Sequence, residues 1–276
     1  MSVWDEPLPD SALFSKDKRT WVYQLQDVDP RAMSESPADF KVVDWQQPDL
    51  PLIRANSSSK ILAYISIGEA EDYRPYWNPR WGKMGNTTPV WLDRENPEWK
   101  GNYKVKFWNE TWQAIVYNQL DEIISKGFDG IYMDIIDAYE YWEGKGVDTA
   151  ASSMIRFVKD IGTYMRGRGK KMLVIPQNGD GLLTSAEYLK AIDGIAIEDL
   201  FYGEDEDEKM TNPQTTKWRL NNLRILQDAF PKKPILCVEY LQNPKLMKAA
   251  TTALRREGFI PYFADRPLNT LRSTVK

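Results

Sequence analysis

The chain has 276 residues, of which 42% are hydrophobic and 28% are charged, as is usual for a globular protein with one large core. It contains no histidine, which excludes Ser-His-Asp and Cys-His nucleophile pairs, imidazole metal sites and histidine general bases. The single cysteine, Cys237, excludes an internal disulfide and a thiolate zinc cluster. If the chain is an enzyme, its acid–base chemistry therefore depends on carboxylates, lysine or tyrosine.

The charge balance and hydropathy exclude two kinds of partner. A formal net charge of −4, with no basic stripe to offset it, has the wrong sign for binding nucleic acid. The longest apolar run, residues 61–67, is far too short to span a bilayer, so we expect no membrane span. The first ten residues lack the basic and apolar regions of a signal peptide. We therefore expect a cytoplasmic protein, or a secreted or periplasmic one whose leader has been removed.

Residues 1–20 are polar and contain two prolines, so we expect them to form an N-terminal arm. Beyond them, short and continuously apolar runs alternate with helical patterns, as expected for strands that are buried on both faces. The runs span residues 21–26, 41–45, 60–67, 130–136, 171–176, 194–199, 234–240 and 258–264. The clearest amphipathic helices span residues 110–126, 149–168 and 215–230.

Eight such runs in βαβα order predict a (β/α)8 TIM barrel, an α/β fold, as a single domain over residues 21–276. A doubly wound open sheet is the alternative, although no G-x-G-x-x-G motif follows the first run. The early connections fit the barrel least well. Residues 30–40 and 55–59 are short connections, whereas residues 69–103 form a long stretch that is rich in tryptophan and proline.

Polar residues stand at the C-terminal ends of the predicted strands, where the side chains of such a barrel face the catalytic mouth. They are Gln24, Asp44, Glu69, Asp134, Asn178, Glu198, Glu239 and Asp265. A single carboxylate at a strand end could be a helix cap or part of an ion pair, but several that converge favour a site. Two carboxylates that face each other across a pocket, without histidine, are what glycoside cleavage requires.

Other patterns leave alternatives open. The 11 Trp and 14 Tyr residues could provide flat platforms for sugar rings or simply pack the loops. Asp134, Asp137 and Glu198 could hold Mg²⁺ in a metal-dependent hydrolase or lyase, although no phosphate-binding loop accompanies them. The acidic run EDEDE at 204–208 could be a solvated loop, or it could attract a cationic ligand to the mouth.

Four segments resemble glycoside hydrolase family 114, the endo-α-1,4-polygalactosaminidase-like barrels. They are AYISIGEAEDYR (63–74), GFDGIYMDIIDAY (127–139), QNG (177–179) and DGIAIEDL (193–200). The similarity extends from about residue 21 to residue 264. It implies a barrel enzyme that hydrolyses α-1,4-linked galactosamine or N-acetylgalactosamine polysaccharide without a metal or other cofactor. We expect the enzyme to be a monomer.

The resemblance also implies roles for individual residues. Asp134 matches the family's fourth-strand aspartate and Glu198 its sixth-strand glutamate. By analogy with α-galactosidase-type barrels, these residues are the nucleophile and the general acid/base of a retaining mechanism. We expect substrate contacts from Asp44, Glu69, Tyr132, Asn178, Glu239, Tyr240 and Asp265. A non-catalytic glycan-binding barrel is the rival hypothesis, but its signature would be a lost carboxylate, and both carboxylates are present.

Overall fold

The computed structural model describes residues 18–55, 57–81, 87–168 and 171–275. Eleven strands lie within these ranges, and β4, β5 and β6 form a small antiparallel sheet apart from the others. In chain order the strands are β1 (Trp21–Tyr23), β2 (Phe40–Asp44), β3 (Lys60–Ser66), β4 (Glu69–Glu71), β5 (Leu92–Glu95), β6 (Asn102–Val105), β7 (Gly130–Asp134), β8 (Leu173–Pro176), β9 (Ile195–Glu198), β10 (Ile235–Glu239) and β11 (Ile260–Phe263).

The other eight strands run parallel and follow one another in chain order, which confirms the predicted (β/α)8 barrel. They pair as β1-β2-β3-β7-β8 and as β9-β10-β11, and a parallel bridge between Gln177 and Ala196 joins the two groups. Within the described ranges no backbone ladder links β11 to β1, but the Trp21 indole donates to the Ile260 carbonyl at 2.8 Å. Because the strand order never reverses, the doubly wound alternative is wrong.

The helices follow the barrel strands and cover the outside of the barrel. They are α1 (Pro30–Glu35), α2 (Leu50–Arg54), α3 (Glu110–Lys126), α4 (Ala138–Glu143), α5 (Ala150–Arg166), α6 (Ala186–Ala191), α7 (Pro213–Ala229) and α8 (Pro244–Arg256), with a 3-10 helix at Asp180–Thr184. The predicted helix over 110–126 is confirmed at both ends. The other two predicted helices are confirmed as α5 and α7, shifted by one or two residues at each end.

Three helices begin with the same short sequence signal, an Asp or Asn followed by proline. The side chains of Asp29, Asn212 and Asn243 each accept a backbone N–H at 2.9–3.0 Å. The following proline has the fixed φ of a first helical residue and lacks an N–H that would need a partner. This signal marks the start of α1. The helix lies within residues 30–40, which the sequence pattern predicted to be only a short connection. The longer α3 begins behind Asn109 and ends at Gly127, whose φ of 87° is left-handed.

The long segment between β3 and α3 is built around aromatic packing. Trp77, Trp81, Trp91 and Trp112 form a chain of contacts with ring centroids 5.0–5.4 Å apart, and this chain packs the small sheet against α3. Trp91 and Trp112 are fully buried. Trp99 is 51% exposed, so it differs from the rest of this segment's tryptophans. Most of the tryptophan in this segment therefore belongs to the core.

Aromatic side chains also fill the barrel interior, where branched aliphatic residues are more usual. Trp21, Tyr23, Tyr64, Tyr132 and Tyr262 lie with neighbouring ring centroids 5.0–6.5 Å apart. All five are buried, at 9% exposure or less. This aromatic layer forms the floor on which the mouth of the barrel is built.

Most of the expected N-terminal arm, residues 1–17, lies outside the described residues, and β1 begins at Trp21. No helix in the described ranges is long and apolar enough to cross a membrane.

Candidate active site

Strand register decides which side chains face the barrel interior, because paired residues of parallel strands share a face and successive residues alternate. Between β3 and β7, Tyr64 pairs with Tyr132 and Ser66 pairs with Asp134. Tyr132 belongs to the aromatic layer, so Asp134, two residues further on, also points inward. Asp134 therefore stands directly above that layer.

The same argument places Glu198 inside and Glu239 outside. Glu198 pairs with Val238, which in turn pairs with the interior Tyr262. Tyr240, two residues after Val238, shares this inward face, and its hydroxyl donates to Glu198 at 2.9 Å. Glu239 is one residue out of phase and points away from the mouth, contrary to the expectation from the sequence.

Two hydrogen bonds hold the Asp134 carboxylate. The Tyr64 hydroxyl donates to Oδ2 and the Ile135 backbone N–H donates to Oδ1, each at 2.7 Å. Ile135 has a φ of 59°, a left-handed conformation that is strained for a β-branched residue. Burial and the charge of Glu198 raise the pKa of Asp134 well above its usual range, and the two hydrogen bonds partly oppose this. Burial and the neighbouring carboxylate thus favour the neutral form of Asp134, whereas its two hydrogen-bond donors favour the charged form.

A separate network holds Glu198. The Asn178 amide donates to Oε1 at 2.7 Å, while Tyr240 occupies Oε2. Asn178 is itself left-handed, with a φ of 58°, and its side-chain oxygen accepts from Arg219 at 2.9 Å. Arg219 also donates to the Glu198 carbonyl at 2.8 Å and pairs with the buried Asp180 at 3.2 Å. A guanidinium from α7 thus fixes both Glu198 and the amide that orients it.

Asp137 adds a third carboxyl group beside the pair. Burial and the charge of Glu198 raise the pKa of Asp137 to about 7, although Lys104 and Arg219 act in the opposite direction. The described residues contain no group of three His, Cys, Asp or Glu side chains arranged to hold a metal ion. Asp134, Asp137 and Glu198 therefore do not form the three-carboxylate magnesium site that was the alternative.

Two other expected substrate contacts, Asp44 and Glu69, have cationic partners within the protein. Both guanidinium nitrogens at the tip of Arg74 donate to Asp44, at 2.8 and 2.9 Å, and Arg74 also pairs with Glu71 at 2.7 Å. Glu69 is 1% exposed and pairs with Lys104 at 2.5 Å. The mouth is therefore less negative than its count of carboxylates suggests.

The remaining expected substrate contacts bond to, or are buried by, other parts of the protein. Glu239 accepts the backbone N–H groups of Phe201 and Tyr202 at 2.9 and 3.1 Å, which fixes the loop after β9. Burial raises the pKa of Glu239 to about 8. Asp265 accepts two N–H groups of the turn after β11, at 3.3 and 3.4 Å. Tyr132 is fully buried beneath the carboxyl pair. Of the predicted set, the structure brings Asn178 and Tyr240 onto the catalytic candidates.

The acidic run at 204–208 forms a largely exposed loop that hydrogen bonds and ion pairs hold against the protein. Four of its five side chains accept hydrogen bonds or form ion pairs that fold it onto the starts of α7 and α8 and onto the turn after β11. Glu204 accepts the backbone N–H of Asn212, and Glu208 accepts those of Gln242 and Asn243. Asp207 pairs with Arg266, and Asp205 pairs locally with Lys209. Much of its negative charge is therefore used within the protein.

Two functional neighbours were missed at the sequence level, for different reasons. Tyr64 lies two residues before the end of β3, so the two-residue period of a strand could have placed it on the inward face. Arg219 belongs to α7, and nothing near it in the sequence indicates that it reaches Asn178 and Glu198. Only the folded barrel shows this contact.

A (β/α)8 barrel whose mouth holds two separately anchored carboxyl groups has an arrangement typical of glycoside hydrolases. The chain belongs to the glycoside hydrolase family GH114, whose family model matches residues 6–276. The resemblance seen in the four sequence segments is thereby confirmed.

The chain is similar to other proteins and solved structures along most of its length. An uncharacterized protein of Thermotoga maritima is 38% identical over 90% of this chain and 81% of its own length. The glycoside hydrolase domain of PelA from Pseudomonas aeruginosa has a TM-score of 0.69 at 16% identity, covering 91% of this chain and 96% of that one. Aspergillus fumigatus Ega3, solved in complex with galactosamine, has a TM-score of 0.67 at 18% identity, covering 92% and 94%. These two structures support the barrel fold.

Proposed function

We propose that this enzyme cleaves α-1,4-linked galactosamine or N-acetylgalactosamine polysaccharide, with Asp134 as the nucleophile and Glu198 as the general acid/base. The observation that carries the proposal is the separate anchoring of two inward-facing carboxyl groups, Asp134 by Tyr64 and Glu198 by Asn178 and Tyr240. The galactosamine in the Ega3 complex supports the substrate class.

The proposed reaction has two steps. The Asp134 carboxylate attacks the anomeric carbon while Glu198 transfers its proton to the glycosidic oxygen, and the leaving chain departs. Glu198, now a carboxylate, then removes a proton from water, which cleaves the glycosyl ester and regenerates Asp134. The product keeps the configuration of the substrate. A retaining mechanism of this kind places the two carboxyl groups about 5–5.5 Å apart.

The hydrogen bonds to Asp134 support its role as the nucleophile. The mechanism needs Asp134 in its ionised form. Burial and the charge of Glu198 raise the pKa of Asp134 and so disfavour this form. The Tyr64 hydroxyl and the Ile135 N–H act in the opposite direction, because both donate to the carboxylate.

The test is mass spectrometry of the products formed from galactosamine and N-acetylgalactosamine oligomers, with NMR of the first anomer released. We expect shorter oligomers with retained α configuration. Asp134→Asn and Glu198→Gln should each lower the rate by at least about a hundredfold, because the first removes the nucleophile and the second removes the general acid/base. Asp160→Asn, on the exposed face of α5, is the control and should keep the wild-type rate.

Two results would contradict the proposal. Full activity in either isosteric variant would remove that residue from the catalytic pair. Binding of the oligomers without cleavage by the wild-type protein would favour the non-catalytic glycan-binding barrel.

A further inference from the structure

A cavity of about 250 Å³ opens at the barrel mouth between the loops that follow β1 and β2. This is somewhat below the roughly 300–1,000 Å³ of pockets that bind drug-sized ligands, so the cavity suits a single sugar ring. Asp44, on its wall, pairs in register with Tyr64, and Tyr64 holds Asp134. The cavity therefore lies on the same rim as the catalytic pair, two strand positions from β7, or about 10 Å.

Hydrogen bonds within the protein fix both walls of this cavity. On the β1 side, the Gln24 amide donates to the carbonyls of Gln26 and Asp27 at 3.0 and 3.2 Å. On the β2 side, Arg74 donates to the Gln46 side-chain oxygen at 2.9 Å. A site whose walls are already ordered loses little conformational entropy when a ligand binds.

The chemistry of the lining indicates which ligand would fit. Both carboxylate oxygens of Asp44 already accept hydrogen bonds from Arg74, so Asp44 is not free to bind a ligand group. Asp27 is exposed, and among the described residues only its backbone carbonyl has a hydrogen-bond partner, so its carboxylate is open to a ligand. Its backbone is left-handed, with a φ of 50°. Gln47 adds an amide, while Leu25 and Val28 provide apolar surface for the ring carbons of a sugar. The cavity thus combines one uncompensated negative charge, hydrogen-bonding amides and an apolar wall.

We infer that this cavity is a sugar subsite, remote from the bond that is cleaved, which takes one hexosamine ring with its ammonium group on Asp27. The inference rests on the proposed function and deepens it by naming the sugar that the subsite selects. An N-acetylated ring has no positive charge to pair with Asp27 and needs more room for its acetyl group. The subsite therefore favours chains that are deacetylated at this position.

The test compares binding of fully deacetylated and fully acetylated α-1,4-galactosamine oligomers by isothermal titration calorimetry, in the slow Glu198→Gln background. Asp27→Asn should lower the ratio of the two affinities by about fivefold, the upper end for a partly exposed ion pair. Asp49→Asn is the matched control, because it removes an equal charge from an exposed side chain that follows Pro48, does not line the cavity and makes no capping hydrogen bond. Its affinity ratio should stay at the starting value.

The outcomes separate the subsite from the reaction. If the wild-type enzyme cleaves these oligomers and Asp27→Asn leaves the affinity ratio unchanged, the subsite is refuted and the proposed function stands. If no oligomer is cleaved but the ratio still depends on Asp27, the proposed function fails and the subsite stands. Equal loss of the ratio in Asp27→Asn and Asp49→Asn would assign the effect to general surface charge and overturn the inference.

Discussion

The hydroxyl of Tyr64 donates a 2.7 Å hydrogen bond to the carboxylate of Asp134 across two neighbouring barrel strands. The strand register requires this contact, because Tyr64 pairs with Tyr132 and Asp134 follows Tyr132 by two residues on the same face. A buried hydroxyl is thereby dedicated to one oxygen of the proposed nucleophile. The bond favours the charged form of Asp134 in surroundings that otherwise disfavour it.

Tyr64→Phe removes this donor and should slow the enzyme by about tenfold to a hundredfold, as expected for a hydrogen bond to a charged group. The loss also raises the pKa of Asp134 further, so the acidic limb of the kcat/KM profile should move to higher pH. Tyr164→Phe is the matched control. Its hydroxyl also donates to an aspartate, Asp121, at 2.9 Å, but on the outer helices. An unshifted acidic limb in Tyr64→Phe would show that the bond does not control the ionisation of Asp134.

Two substitutions of Asn178 distinguish the role of its side-chain amide from the role of its left-handed backbone. Asn178→Gly removes the amide that orients Glu198 but tolerates the left-handed backbone, so it should lower kcat by about tenfold or more and cost only the stability of the lost Arg219 contact. Asn178→Ala should lose the same activity and in addition about 1 kcal/mol of stability, since alanine is strained at this φ. Measuring kcat and unfolding for both variants tests the claim, which fails if the glycine variant keeps full activity.

Gly68 packs closely against the backbone of Ile135, whose N–H donates to Asp134. A Cβ at Gly68 would lie 2.1 Å from the Ile135 carbonyl oxygen, so Gly68→Ala must displace Ile135. We expect a loss of about 1–3 kcal/mol in stability, as for other overpacked sites, together with reduced kcat. Gly144→Ala, whose Cβ would meet no atom closer than 3.4 Å, should change neither quantity. Wild-type kcat in Gly68→Ala would show that Asp134 does not depend on this contact.

The buried carboxyl group of Glu239 should make the free energy of unfolding depend on pH. Its pKa is about 8 in the folded protein and about 4.3 in an unfolded chain, so the folded state binds more protons between these values. The free energy of unfolding should therefore fall as the pH rises from about 4 to about 8. Glu239→Gln cannot ionise and should make this fall shallower in urea denaturation. Asp137 and Asp199, with pKa values of about 7 and about 6, act in the same direction, so part of the slope remains.

The exposed Glu206→Gln is the control for this experiment and should keep the wild-type slope. If the two glutamine variants show equal slopes, the pH dependence of stability does not come from Glu239.

The order of the barrel strands was predictable because strands buried on both faces are continuously apolar, and the eight runs were visible as such. Because such runs do not alternate between apolar and polar residues, the sequence does not show which face of the sheet each residue occupies. Nothing in the run 234–240 distinguishes Glu239 from Tyr240, yet the register turns Tyr240 onto Glu198 and turns Glu239 away. A displacement of one residue decides between a site residue and a structural one.

The candidate site was predictable where a carboxylate ends an apolar run, as at Asp134 and Glu198. The partners that set its chemistry come from distant parts of the chain. Arg219 reaches the site from α7, and Lys104 reaches Glu69 from the small antiparallel sheet, which no strand pattern indicated. Similarly, the acidic run at 204–208 suggests an open negative field until its individual partners are known.

The aromatic floor of the barrel gives the enzyme an internal optical reporter. Trp21 and the tyrosines around it are packed in fixed, asymmetric surroundings directly below the carboxyl pair, with Tyr64 and Tyr132 closest to it. Side chains held in this way produce near-ultraviolet circular dichroism, which disappears when packing loosens even if helices and strands persist. The packed tryptophans between β3 and α3 contribute to the same signal. Loosening of aromatic packing in the floor and in that segment can therefore be followed without a label, separately from the melting of the surrounding helices.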